Sequence, residues 1–139
     1  MKKMMIEVRK TIAVAPDTVW PTIADGAGLK KWFPVIDTCR VEGNQRYCTM
    51  MGGGDLVETM IKTDHKTRTF TYSVDKHPLP WGPVDSKITV NDVGMGKSEI
   101  IWHASFDCAD ETRAEAKSML EGLYGQGIDA LETYHRMAA

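Results

Sequence analysis

Nowhere in these 139 residues is there an apolar run long enough to cross a bilayer, and Met1 to Lys10 lacks an apolar stretch of signal-peptide length. The expected location is the cytoplasm, with no membrane insertion. Positive charge is not concentrated: 17 Lys and Arg stand against 19 Asp and Glu, a formal net charge of -2 with both signs mixed along the chain. That excludes a basic stripe for nucleic acid and a polybasic membrane anchor. Cysteine is scarce. Cys39, Cys48 and Cys108 are odd in number and show no CxxC or paired Cys/His spacing, so neither a disulfide framework nor a metal site is indicated. All three read as small buried apolar residues. Repeats and low-complexity tracts are absent, and no Ser/His/Asp or Cys/His set can be assembled from spacing. Gly52-Gly53-Gly54 precedes a strand-like stretch, whereas a phosphate-cradling loop needs a helix and usually a Lys after it. No cofactor is expected. The length suits one domain spanning residues 1–139.

What is present is one long helical pattern. From Asp110 to Met137, apolar residues recur at Met119, Leu120, Leu123, Tyr124, Ile128, Leu131 and Tyr134, three and four apart, so that one face carries an apolar stripe. Asp110 or Thr112 suits the helix start, and Thr112 with Glu115 fits a capping box. At 1.5 Å per residue the helix would run roughly 40 Å, enough to cross a small domain. Gly122, Gly125 and Gly127 interrupt the pattern, each at about 1 kcal/mol relative to Ala. They mark either a kink or close packing, or a missing side chain that leaves room for a ligand beneath the helix.

Ahead of that helix the pattern is mostly period two. Met4 to Val14 reads as a strand, Pro16 to Asp25 and Leu29 to Phe33 as short helices, the second stopped by Pro34. Strand-length segments follow at Val35–Val41, Arg46–Met51, Asp55–Thr63, Thr67–Asp75, Asp85–Asp92 and Lys97–Asp107, separated by short turn clusters. Short turns join antiparallel neighbours, so the layout is α+β: a seven-stranded antiparallel sheet with a single long C-terminal helix to cover one face. A sheet that wide should curl around the helix and enclose an interior. If that interior is half filled, it is a pocket.

The wording of Leu29-Lys30-Lys31-Trp32-Phe33-Pro34, Val41-Glu42-Gly43, Arg46, Val57-Glu58, Thr63-Asp64, Phe70-Thr71-Tyr72-Ser73-Val74, Pro78-Leu79-Pro80 and Trp102 resembles the polyketide cyclase/dehydrase and lipid-transport group of the START-like (SRPBCC) superfamily. That superfamily also holds the birch pollen allergen and the abscisic-acid receptors. The resemblance covers nearly the whole chain. It implies the helix-grip fold, a curled sheet gripping the C-terminal helix around a ligand cavity, and a function ranging from binder to enzyme.

Strand alternation then suggests which side chains enter the interior. Phe70, Tyr72 and Val74 share a face, as do Ile100, Trp102, Ala104 and Phe106; Arg46, Cys48 and Met50 read as inward, and Leu56 and Met60 put Glu58 on their own side. By resemblance to the abscisic-acid receptors, Glu58 is the acid of the pocket. Paired with Arg46 it would orient a ligand's carboxylate, carbonyl or phenol, or the two form only a structural ion pair, or Arg46 sits at the solvent edge. The ligand-lining set expected from all this is Trp32, Cys48, Met50, Met60, Phe70, Tyr72, Leu79, Trp81, Ile88, Trp102, Met119, Leu123 and Gly127. The nine methionines suit irregular apolar ligands or ordinary packing equally. His103 should face solvent; the resemblance implies that the loop holding His77 lies at the cavity mouth, where His77 is a polar gatekeeper or an ordinary loop histidine, while His65 and His135 carry no assigned role. Gly52–Gly54 reads as a hinge over the entrance, although the Ser-Gly-Leu-Pro gate of the abscisic-acid receptors is absent. The expected function is binding of a small hydrophobic molecule, aromatic, polyketide-like or lipid-like. The rivals are a cyclase, dehydratase or lyase using Glu58 as acid or base and Arg46 at an oxyanion, and a protein-interaction module.

Overall fold

The computed structural model describes residues 2–138. Seven strands form one antiparallel sheet: β1 (Lys2–Ile12), β2 (Ile36–Glu42), β3 (Gln45–Met50), β4 (Asp55–Asp64), β5 (Thr69–Lys76), β6 (Val84–Gly94) and β7 (Lys97–Cys108). Two short helices, α1 (Pro16–Ala24) and α2 (Leu29–Trp32), follow β1, and a long helix α3 (Arg113–Ala138) ends the chain. The strand order is β1-β7-β6-β5-β4-β3-β2. Every hairpin therefore pairs sequence neighbours, and β1 returns to lie against β7 from Lys2 opposite Cys108 to Ile12 opposite Ser98. The two edges of the sheet, β1 and β2, are consecutive in sequence, so α1 and α2 bridge from one edge to the other.

The alternation seen in the sequence becomes burial. On β7, Ser98, Ile100, Trp102, Ala104, Phe106 and Cys108 are all buried while their neighbours are not. The lone polar member of that row, Ser98, donates from Oγ to the Val14 carbonyl at 2.7 Å, which satisfies it in the core. His103, expected to face solvent, lies on the outer side but only 23% of its side chain is exposed, with Nδ1 3.9 Å from Glu7 Oε1.

α3 differs from its sequence reading in three respects. Its entry is a 3-10 turn, Asp110–Thr112, flanked by Ala109, which makes no side-chain cap. The Thr112 amide donates to the Ala109 carbonyl at 3.0 Å, so backbone rather than a capping box closes this end. The buried stripe is Ala116, Leu120, Tyr124, Gly127, Ile128 and Leu131, whereas Met119 is 40% exposed. Position 119 falls one residue off a row that begins at Ala116 and climbs by fours, so its side chain turns toward solvent. Finally, the helix is continuous through Gly122, Gly125 and Gly127. Its far end is pinned to the start of the chain by Lys10 Nζ to Asp129 Oδ1 at 2.8 Å and by the Ala13 amide to Glu132 Oε2 at 2.6 Å.

A further difference concerns cysteine. Cys39 and Cys48 stand opposite each other on β2 and β3 with Cα atoms 4.1 Å apart, and their sulfurs are bonded. The pairing comes from hairpin register, which a separation of nine residues does not reveal. Cys108 is free and buried, as expected.

The helical glycines make opposite predictions. A Cβ at Gly127 would lie 2.7 Å from Trp102 Cζ3 and 3.0 Å from Phe33 Cε1, while at Gly122 it would meet nothing within 4 Å. Gly127→Ala should therefore destabilise through overpacking, by about 1–3 kcal/mol. Gly122→Ala should stabilise by up to about 1 kcal/mol from helix propensity alone. Urea denaturation midpoints measure both, and a stabilised Gly127→Ala would show that the helix does not rest on Trp102.

Candidate functional site

Between the sheet and α3 lies a cavity of about 80 Å³. Ligand sites usually run to several hundred Å³, so most of the enclosed space is occupied by side chains. Trp102 is at its centre. It stacks on Tyr124 of α3 with centroids 4.5 Å apart and planes 8° apart, and it meets Phe33 at 5.3 Å and Trp32 at 5.9 Å. Its indole N–H donates to the Tyr72 hydroxyl at 2.9 Å. The Trp32–Phe33 pair enters because α2 ends at Trp32 and the chain turns extended at Phe33, so adjacent residues both face inward.

Among the expected lining residues, Trp32, Met50, Phe70 and Tyr72 border the cavity, as do Leu79, Trp81, Ile88, Trp102 and Leu123. So do Arg46 and Glu58. Four do not. Cys48 has the inward parity, but its sulfur is bonded across to Cys39. Met60 is taken up against the 3-10 turn before α2, where a Cβ at Gly26 would overlap its sulfur. Met119 points to solvent, and Gly127 is covered by the Trp102 and Phe33 rings rather than open to a ligand. Sequence reasoning passed over Phe33, Tyr124, Leu120 and Ile23, which also line the cavity. Tyr124 was legible, since it lies on the same apolar stripe as Leu120.

Arg46 and Glu58 face each other in register on β3 and β4. Arg46 is 3% exposed and Glu58 5%, so the solvent-edge placement of Arg46 does not hold. Arg46 Nε donates to Glu58 Oε1 at 2.7 Å, Nη2 approaches the same oxygen at 2.5 Å, and Nη1 donates to the Gly26 carbonyl at 2.9 Å. The guanidinium also lies 5.4 Å from the Tyr72 ring centroid and 5.7 Å from that of Phe70, close enough for cation–π attraction. Burial pushes the Glu58 carboxyl above the usual carboxylate range, with Arg46 pulling it the other way. Burial likewise pushes the Tyr72 phenol up to about 12 and that of Tyr124 well above its ordinary value, so both hydroxyls stay neutral.

His77 borders the cavity with a fixed tautomer. The Leu79 amide donates to Nδ1 at 3.1 Å, which requires a lone pair there, and Nε2 carries the proton to the Gly82 carbonyl at 2.9 Å. The other two unassigned histidines have structural partners. Trp20 Nε1 donates to His65 Nδ1 at 3.2 Å, and His135 Nε2 lies 2.9 Å from Thr22 Oγ1. No group of three or more potential metal ligands is found among the described residues.

The family model described as polyketide cyclase / dehydrase and lipid transport matches residues 4–136. Among solved structures, the chain is similar to an uncharacterized protein from Bacillus thuringiensis, at 25% identity and TM-score 0.84, over 94% of this chain and 97% of that one. It is similar to the protein XoxI from Bacillus cereus at 25% identity and TM-score 0.85, over 96% and 94% of the two chains. It also shares the fold of the ZhuI aromatase/cyclase from Streptomyces sp. R1128, at 18% identity and TM-score 0.75, over 99% and 97%. No curated protein matches.

The ion pair yields a stability prediction. Arg46→Met strands Glu58 in an apolar wall and should cost about 3–5 kcal/mol, whereas Arg46→Met combined with Glu58→Leu should recover most of that loss. Since the folded protein holds the Glu58 proton more tightly than the unfolded chain does, the favourable contribution is fully present below the unfolded pKa. It is lost as pH rises through the folded one. Removing Arg46 takes away the opposing pull, so stability of Arg46→Met should fall more steeply with rising pH than that of the wild type. Urea midpoints across the pH range check this, and parallel curves would contradict it.

Proposed function

Because this chain belongs to the polyketide cyclase / dehydrase and lipid transport family, we propose that it binds a small hydrophobic molecule, aromatic, polyketide-like or lipid-like, between the sheet and α3. The observation that carries this reading is the enclosed wall itself: Trp32, Trp81, Trp102 and Phe70 surround a space whose buried ionic groups are Arg46 and Glu58. Aromatic faces supply large apolar contact at low entropy cost, and a few polar groups fix orientation. The narrow cavity implies that a ligand enters by displacing adjustable side chains such as Met50, Leu79 and Leu123.

Two loops are suited to admit it. A Cβ on Gly54 would lie 2.9 Å from Pro78 Cγ, so the Gly52–Gly54 turn rests directly on the His77–Pro83 loop, which contributes His77, Leu79 and Trp81 to the cavity. Gly54 sits at φ 112°, a backbone state that glycine reaches without strain. Opening these two loops together would expose the aromatic wall. No described helix is long and apolar enough to cross a membrane.

One observation favours a second reading, an enzyme of the same fold. Burial raises the Glu58 carboxyl above the usual carboxylate range, the direction that a general acid or base requires. Glu58 would then act as general acid or base and Arg46 would stabilise a developing oxyanion. Glu58→Gln separates the two. In a binder it weakens affinity modestly; in an enzyme it leaves affinity nearly intact and lowers turnover of the substrate by about a hundredfold or more.

Cavity binding predicts that Leu123→Trp, which fills the space from α3, weakens uptake of an apolar fluorescent probe by at least about tenfold. Met119→Trp, one turn away on the exposed side of the helix, should leave uptake unchanged. Equal uptake by a folded Leu123→Trp protein would move the pocket elsewhere. Hydrogen exchange should be faster in Gly52–Gly54 and His77–Pro83 than in the strands, and slow when the probe is bound. Strand-like protection without ligand would remove the gate.

A further inference from the structure

Resting on the cavity-binding reading, the charges of the site narrow the class of ligand. Both close Arg46 contacts go to Glu58 Oε1, and no hydrogen bond to Oε2 is found among the described residues. Nevertheless, among those residues no fully enclosed side-chain nitrogen or oxygen lacks a partner. Oε2 therefore borders open space, and the open space that Glu58 lines is the cavity. It is an acceptor without a donor.

Cationic charge, by contrast, is already spoken for. Arg46 is the one Lys or Arg among the lining residues, and it is bound to Glu58 and to the Gly26 carbonyl. Both ring nitrogens of His77 are taken up, Nδ1 by the Leu79 amide and Nε2 by the Gly82 carbonyl. The remaining charged lining residue, Asp25, is exposed at the rim and is negative. Asp75 of β5 adds its negative field to that around Glu58, while the Tyr72 and Tyr124 hydroxyls are neutral. An anionic ligand would thus bring a second negative charge into a chamber whose single positive charge is cancelled, with desolvation to overcome as well.

We infer that this cavity selects an uncharged molecule bearing a hydroxyl that donates to Glu58 Oε2, and that it turns carboxylates away. The headgroup of a free fatty acid or an aromatic acid is therefore the wrong chemistry, and a phenol, enol or alcohol on an apolar frame is the right one. A hydrogen bond from a neutral hydroxyl to a carboxylate is charge-assisted and among the stronger ones, so the donor gives orientation as well as affinity.

The test uses three single-ring probes, toluenes with a methyl, a hydroxyl or a carboxylate at the para position (p-xylene, p-cresol and p-toluate), titrated into the wild-type protein and followed by NMR shifts. At about pH 8 the phenol is neutral and the acid ionised. We expect p-cresol to bind at least about tenfold more tightly than p-xylene, as a hydrogen bond to a charged group allows. For p-toluate we expect binding at least about tenfold weaker than p-xylene, since its charge is buried unpaired. Glu58→Gln, which leaves Arg46 without its counter-charge, should reverse the order in favour of p-toluate. Binding of p-toluate as tightly as p-cresol, or of p-cresol no more tightly than p-xylene, overturns the inference while leaving the cavity reading standing. Failure of all three to bind overturns the cavity reading and the inference with it. The wild-type series decides even if Glu58→Gln does not fold.

Discussion

Trp102 is the point at which sheet and helix are held together. It is 2% exposed, stacked on Tyr124 from α3, packed against Trp32 and Phe33 at the end of α2, and hydrogen-bonded to Tyr72 on β5. Those contacts join elements that sequence order keeps far apart. They also dictate residue 127, where the approach of the indole to the helix backbone leaves no room for a Cβ without displacement. Aromatic stacking of this kind adds about 0.5–1.5 kcal/mol beyond the area buried. It also fixes one part of the cavity lining, to which half-buried Met50, Leu79 and Leu123 contribute as well.

The buried ion pair is the second constraint, and it works in tension with the first. Taking Arg46 and Glu58 out of water is expensive, and their mutual attraction offsets that cost only because the antiparallel register sets them face to face and Gly26 takes a third guanidinium bond. Apolar residues of like volume in their place would avoid that desolvation, which is why removing both partners costs far less than removing one. The pair stands in the cavity wall rather than at the surface, and the Arg46 contacts use one carboxylate oxygen of Glu58.

Much of the fold could be read from the sequence, because a sheet of hairpins and one long amphipathic helix rest on local pattern. Ile100, Trp102, Ala104 and Phe106 alternate cleanly, and the hairpin turns fall where glycine and polar clusters put them. The inward placement of Arg46 and Glu58 was legible too, since period-two parity with apolar neighbours fixes a face. Parity does not say which inward side chains reach the same space. Cys48 and Met60 have the right face but are used up by Cys39 and by the turn at Gly26, both products of register and chain path. Met119 was misplaced because three-and-four spacing admits two neighbouring rows on a helix, and the choice between them depends on what the helix meets. At Gly127 the missing side chain makes room for two aromatic rings rather than for a ligand.

The four tryptophans offer the most direct test of where a ligand sits. Trp32, Trp81 and Trp102 line the cavity, whereas Trp20 lies outside it with its indole N–H bonded to His65. In a heteronuclear NMR titration with p-xylene, the indole N–H signals of Trp32, Trp81 and Trp102 should move together along one saturating curve while that of Trp20 stays in place. A response confined to Trp20, or saturation that leaves Trp102 unmoved, would contradict binding between the sheet and the helix.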